Sequence, residues 1–102
     1  ATDAALDARQ LTRIARRAGA GLGRLGSHWG HGSGDIAVAF STQPTPQPPE
    51  DAQLEPLLSA AADATEHAVL DALLQAEAVT GFRGHHRPAL TQVLDRLAQD
   101  FA

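Results

Sequence analysis

Ser33 and Asp35 stand two residues apart in the run Gly30-His-Gly-Ser-Gly-Asp35, at the mouth of the apolar run Ile36-Ala-Val-Ala-Phe40. In an extended chain, side chains two apart project to the same side. A hydroxyl and a carboxylate held together at a rigid strand end can orient a nucleophile or relay a proton. Gly32 and Gly34 would let a substrate or a second backbone come close. The same residues also suit a glycine-rich turn in which Ser and Asp bond the local backbone, and spacing alone leaves both readings open. A phosphate-binding P-loop is excluded, because no Gly-Lys-Ser/Thr follows. A serine-hydrolase elbow is excluded as well, because the run leads into a strand and not a helix.

Histidines are the other chemical side chains. His28 and His31 lie three apart, His85 and His86 are adjacent, and His67 stands alone on a helix. Zinc needs three or four ligands in defined geometry with oriented supporting groups. Neither pair has a recognised ligand spacing, so surface-loop histidines are expected, with no metal and no cofactor. His31 and Ser33 form a conceivable hydroxyl–imidazole pair, weakly supported at two residues apart in a loop. Trp29, in the same loop, suits either a pocket wall or an interface anchor.

The composition bounds what these residues belong to. The chain has 102 residues, enough for one small domain. It carries 8 Arg and no Lys against 12 acidic residues, for a net charge of -4, which argues against a nucleic-acid partner. Apolar residues make up 43%, too many for a disordered tail. No apolar run approaches the roughly 20 residues of a membrane span. The absence of Cys removes disulfides, thiolate metal sites and a Cys nucleophile. The Ala and Arg bias suggests a high-GC bacterial genome. The absence of Met fits a processed fragment.

The elements that must position the Ser and Asp follow from periodicity. Asp7, three residues before Gln10, has the spacing of a capping box and starts a helix. Leu11, Ile14, Ala15, Ala18 and Leu22 make its apolar face. Arg9, Arg13, Arg16 and Arg17 lie mostly off that face, as a solvated rim or, alternatively, a substrate or partner contact. Gly19, Gly21 and Gly23 weaken its last turns and permit close approach of another backbone. A glycine-rich loop over residues 26–35 feeds the one convincing strand, residues 35–41, with Ile36, Val38 and Phe40 on one face and Ala37 and Ala39 on the other. Bulk on one face and Ala on the other predict burial on both. Residues 42–53 hold four of the six prolines and predict an extended surface loop. A long helix is expected from about Leu54 to Val79, covered on more than one side because Leu70 and Leu74 widen its apolar stripe. A second loop over residues 80–87 precedes Pro88, placed in the first turn of a terminal amphipathic helix carrying Leu90, Val93, Leu94, Leu97 and Phe101.

Three helices and one strand do not close a domain. A single buried strand leaves both edges unpaired, and its backbone groups need partners. An obligate partner is therefore expected, either another chain or another part of the same precursor. A preceding segment could supply a further strand just before Ala1.

The segments Ala1-Thr-Asp3, Ile14-Ala-Arg-Arg-Ala18, Gly21-Leu-Gly-Arg24, Ser33-Gly-Asp-Ile36, Ala39-Phe-Ser-Thr42 and residues 66–90 resemble the β subunit of the L-aminopeptidase/D-esterase family, which includes the β-peptidyl aminopeptidases. The resemblance spans nearly the whole chain and is most specific at Ser33-Gly-Asp-Ile36 and Ala39-Phe-Ser-Thr42. It implies an α/β fold, an αββα sandwich of helices around two packed sheets, with residues 1–102 forming the β-subunit portion of a single αβ hydrolase domain. It implies one precursor that cleaves itself before a Ser, whose free amine serves as base. It implies a larger α subunit as partner, a tetramer of αβ units, and a small peptide, amide or ester as substrate. That nucleophile would lie about half a dozen residues before Ala1. Ser33 and Asp35 match the family's Ser and acidic residue beside it. His28, Trp29 and His31 depart from the small or Asn-rich residues usual before Ser-Gly-Asp and so bear on substrate preference. A related amide-oligomer hydrolase or acyltransferase would differ by a Thr nucleophile. A non-catalytic helical interaction domain would fold alone, with Ser33 and Asp35 merely in a turn. The compartment, bacterial cytoplasm or periplasm, stays open.

Overall fold

The computed structural model describes residues 1–43 and 47–102. The chain divides into two compact units, Ala1–His67 and Ala68–Ala102.

In the first unit, helix α1 covers Ala8–Arg16 and α2 covers Ala18–Arg24. The expected capping box forms: the Asp7 carboxylate accepts the Gln10 N–H at 2.7 Å, and the Gln10 side chain accepts the Asp7 N–H at 3.2 Å. The single expected helix is instead two, joined at Arg17. Three glycines in the seven residues of α2 leave little propensity to hold one continuous rod. A 3₁₀ turn at Asp51–Leu54 precedes α3, Glu55–Gln75, whose N-terminal part belongs to this unit. Leu6, Leu54 and Leu58 form the buried centre, with Ala4, Leu11, Ile14 and Leu57 packed around them.

Gln10 is 1% exposed and fully employed. Its amide donates to the Pro49 carbonyl at 2.7 Å, so burial leaves no polar group stranded. The arginine rim is more than solvated. Arg9 grips both Asp51 oxygens at 2.8 and 2.7 Å, and Arg13 reaches the same carboxylate at 3.0 Å. These pairs fix the end of the proline-rich stretch, whose residues 44–46 lie outside the described residues, onto α1. The Arg9 hydrogen bonds, with help from Gln10 and Arg13, draw the Asp51 carboxyl down to about 2.

The close backbone approach anticipated for the glycines occurs at Gly21. A Cβ there would lie 2.5 Å from the Ala62 carbonyl oxygen and 2.9 Å from the Glu66 nitrogen, so α2 and α3 touch backbone to backbone. Arg24 clamps the same contact, bonding Asp63 at 2.5 Å and Glu66 at 3.0 Å.

The segment 36–40 forms no regular strand. Its ladder is reduced to one parallel bridge, Thr2 with Ser41. Among the described residues nothing buries both faces: Ile36 is 89% and Val38 81% exposed. A strand needs a neighbour to satisfy its amides, and residues 1–2 reach only its last positions.

In the second unit, the C-terminal part of α3 stops at Gln75, short of the expected Val79. Val79 is taken by a hairpin: β1 Val79–Thr80 pairs antiparallel with β2 His86–Arg87. Residues 80–87, expected as a loop, thus contain a short sheet. Gly84, at φ 76, and Arg83, at φ 57, turn the chain through the left-handed region. Helix α4 runs Leu90–Asp100. Pro88 lies before its N-cap, Ala89, and not in its first turn. Ala89 has no capping oxygen, and its own N–H donates to Gln92 Oε1 at 3.2 Å. Leu70 and Leu74 on α3 stay exposed, so the covering expected on that side is not found among the described residues.

Gly21→Ala is expected to lower the thermal midpoint despite the helix preference for Ala. Gly23→Ala, with nothing within 4 Å of the new methyl, should raise stability by roughly 0.5–1 kcal/mol. Differential scanning calorimetry reads both signs.

Because the folded Asp51 pKa lies below the ordinary 3.8, its contribution is present above that value and is lost as pH falls toward about 2. Asp51→Asn should therefore flatten the fall of the thermal midpoint between pH 4 and 2, read by unfolding scans at stepped pH.

Candidate active site

The Ser33 hydroxyl donates to Asp35 Oδ2 at 2.7 Å, and the Asp35 N–H points back at Ser33 Oγ at 3.5 Å. The two side chains are thus brought together on one side of the chain, as their spacing predicts. A turn precedes them, closed by the Ser33 N–H on the Gly30 carbonyl at 2.8 Å. Both residues are exposed. The carboxylate polarises the hydroxyl, and each keeps free lone pairs for a further donor. Such a pair can accept hydrogen bonds from an ammonium or hydroxyl brought against it, which is the chemistry needed to hold an amine or an alcohol in one orientation.

His31 does not take the Ser33 hydroxyl. Among the described residues no imidazole bonds either member of the pair, and no group of three metal-ligating side chains gathers. His86 Nδ1 instead lies 3.0 Å from Thr80 Oγ1 across the hairpin. Trp29 adopts φ 50 and lays its indole against Gly19 of α2, with about half its surface exposed. The His28 ring turns toward Gly30.

Sequence reasoning missed the clip that fixes the chain start beside the strand end. Thr2 donates its N–H to the Phe40 carbonyl at 3.0 Å, and Thr42 donates to the Thr2 carbonyl at 2.9 Å. The Ser41 hydroxyl donates to the Ala4 carbonyl at 2.6 Å and accepts the Gln43 N–H at 3.1 Å. The available signal was the row of hydroxyl residues, Thr2, Ser41 and Thr42, at the two ends that meet.

Behind the clip lies a cavity of about 200 Å³. Ala1, Thr2 and residues 37–40 form one wall, and Ile14, Ala15, Ala18, Ala61, Ala64 and Thr65 the other. The small residues on both sides leave a slot between strand and helices.

The fold thus sets a hydroxyl–carboxylate pair at the start of an extended segment that faces helices across a slot, and sequence comparison identifies the family to which these parts belong. The profile of peptidase family S58 matches residues 1–87. The chain belongs to that family, in agreement with the resemblance stated above. It is 40% identical over 97 residues to the β-peptidyl aminopeptidase BapA of Sphingosinicella microcystinivorans, covering 83% of this chain and 24% of that protein. It is 39% identical over 93 residues to the protein of the same name from Sphingosinicella xenopeptidilytica, covering 79% and 23%. Among solved structures, the PH0078 protein from Pyrococcus horikoshii OT3 superposes with a TM-score of 0.80 at 38% identity, over 98% of this chain and 31% of that one. A Burkholderia sp. β-aminopeptidase gives 0.70 at 28% identity, over 96% and 33%. The chain spans about a quarter of the length of these curated relatives and about a third of these solved chains.

Ser41→Ala is expected to cost about 1 kcal/mol through the lost Ala4 hydrogen bond, read as a lower urea midpoint at unchanged slope.

Proposed function

We propose that this chain is the β-subunit portion of a self-processing aminopeptidase that releases N-terminal residues from small peptides, amides or esters. The names of its relatives favour substrates that begin with a β-amino residue. The nucleophile is a Ser N-terminal to Ala1, freed by self-cleavage of a precursor. Its α-amine acts as the base, and the acyl group passes through an ester on its oxygen to water. Ser33 and Asp35 hold that amine and hydroxyl in register. A larger α subunit completes an αββα sandwich around the strand, and αβ units assemble into a tetramer.

The observation that carries this reading is the register of the Thr2/Ser41 bridge. In a parallel ladder Ala1 falls opposite Phe40, and each earlier residue steps back by one. A residue six positions before Ala1 then falls opposite Gly34, between Ser33 and Asp35. Nothing stands within 4 Å of where a Gly34 side chain would begin, so a side chain opposite it has room. The intervening residues would satisfy one edge of the segment 36–40, and covering its exposed Ile36 and Val38 would gain roughly 1.5–3 kcal/mol each.

The test is intact-mass spectrometry of the purified protein with N-terminal sequencing of every chain present. The expected result is a larger co-purifying chain and a species of this chain extended to an N-terminal Ser. A single species of this chain, monomeric and cooperatively folded, would show an autonomous helical domain instead. Ser33→Ala and Asp35→Ala should each accumulate uncleaved precursor or lower kcat/KM by roughly 10²-fold. Near-normal cleavage and turnover in both would remove their assigned role.

A further inference from the structure

We infer that the seating of the Trp29 indole on Gly19 is a positioning device for the Ser33/Asp35 pair. This rests on the role proposed above for that pair. Two locally unfavourable choices meet at this contact. Trp29 sits at φ 50, in the left-handed region that bulky side chains rarely enter. Gly19 sits inside α2, where Ala would favour the helix. A Cβ on Gly19 would overlap Cη2 and Cζ2 of the Trp29 ring. Backbone strain of this kind persists where the surroundings over-determine it, and here the helix surface is shaped to receive the ring.

The consequence for the site follows along the backbone. Gly30, the next residue, gives the carbonyl that accepts the Ser33 N–H. Asp35 is then bonded to Ser33. The path from α2 to the pair is therefore Gly19, Trp29, Gly30, Ser33, Asp35. Without an anchor this stretch has little reason to hold one geometry. Four of its ten residues from Gly26 to Asp35 are Gly, and nothing lies near a Cβ at Gly26, Gly32 or Gly34. The pair itself is exposed, so burial does not fix it. The indole transfers the rigidity of a helix to a loop, and Trp29 acts through the pair, not on the substrate.

The contact and its effect on turnover can be read separately. Trp29 is the one tryptophan of this sequence, so emission measured as the difference from Trp29→Phe reports its ring alone. The experiment uses enzyme made from the full-length precursor, with Gly19→Ala, Trp29→Ala, their double variant, Trp29→Phe, and Gly23→Ala as control. The substrate is a small amide with a chromogenic leaving group. Gly19→Ala is expected to shift the Trp29 emission to the red and increase iodide quenching. Gly19→Ala and Trp29→Ala should each lower kcat about tenfold or more, with KM within about twofold. The double variant should be no worse than either single one. Trp29→Phe should recover part of kcat, and Gly23→Ala should change neither signal.

An unmoved emission in Gly19→Ala overturns the contact. Shifted emission with unchanged kcat overturns the positioning role. A raised KM at unchanged kcat overturns it too, placing Trp29 against the substrate. Unaltered protein that neither cleaves itself nor hydrolyses amides overturns the proposed function, and the positioning role with it, whatever the emission shows.

Discussion

The segment 36–40 carries backbone amides and carbonyls that, among the described residues, are paired at one end only. This constraint organises the rest of the first unit. Hydrogen bonding to a neighbour holds an extended segment in place, and among the described residues that bonding is the parallel bridge of Thr2 with Ser41. The Ser41 hydroxyl, donating to the Ala4 carbonyl, reinforces the pairing made by the Thr2 and Thr42 amides, so the end of the segment and residues 2–4 form one joint. Ser33 and Asp35 stand between this joint and the turn closed by the Ser33 N–H on the Gly30 carbonyl.

Behind the strand, small residues decide how near the helices come. Gly21 lets α2 touch the backbone of α3, and Arg24 ties the contact at Asp63 and Glu66. Ala61 and Ala64 keep the facing wall of α3 low, which leaves the slot beside residues 37–40. Asp51 gathers Arg9 and Arg13, and Gln10 beside them satisfies its buried amide on Pro49. These polar ties add little energy individually at an exposed surface. Their value is in fixing where the segment before α3 lies against α1, and so where α3 begins.

Several of these features were legible beforehand. The Asp7 and Gln10 capping box depends on local spacing and formed as read. The pairing of Ser33 with Asp35 follows from side-chain alternation over two residues. Other features were not legible. The break at Arg17, the hairpin of Val79–Thr80 with His86–Arg87 and the place of Pro88 before its helix are local, and apolar periodicity does not weigh the glycines and turns that produce them. The arginine rim looked solvated because Asp51 lies some forty residues away in sequence.

The sequence by itself determined the family, the Asp7 and Gln10 cap of the first helix and the meeting of Ser33 with Asp35, since each is encoded in adjacent residue types and local spacing. Only the tertiary structure decided the parallel register of Thr2 against Ser41, the approach of Gly21 to α3 and the seat of Trp29 on Gly19. A glycine's spacing says that a close approach is permitted. Which atoms arrive is settled by packing between residues far apart in the chain.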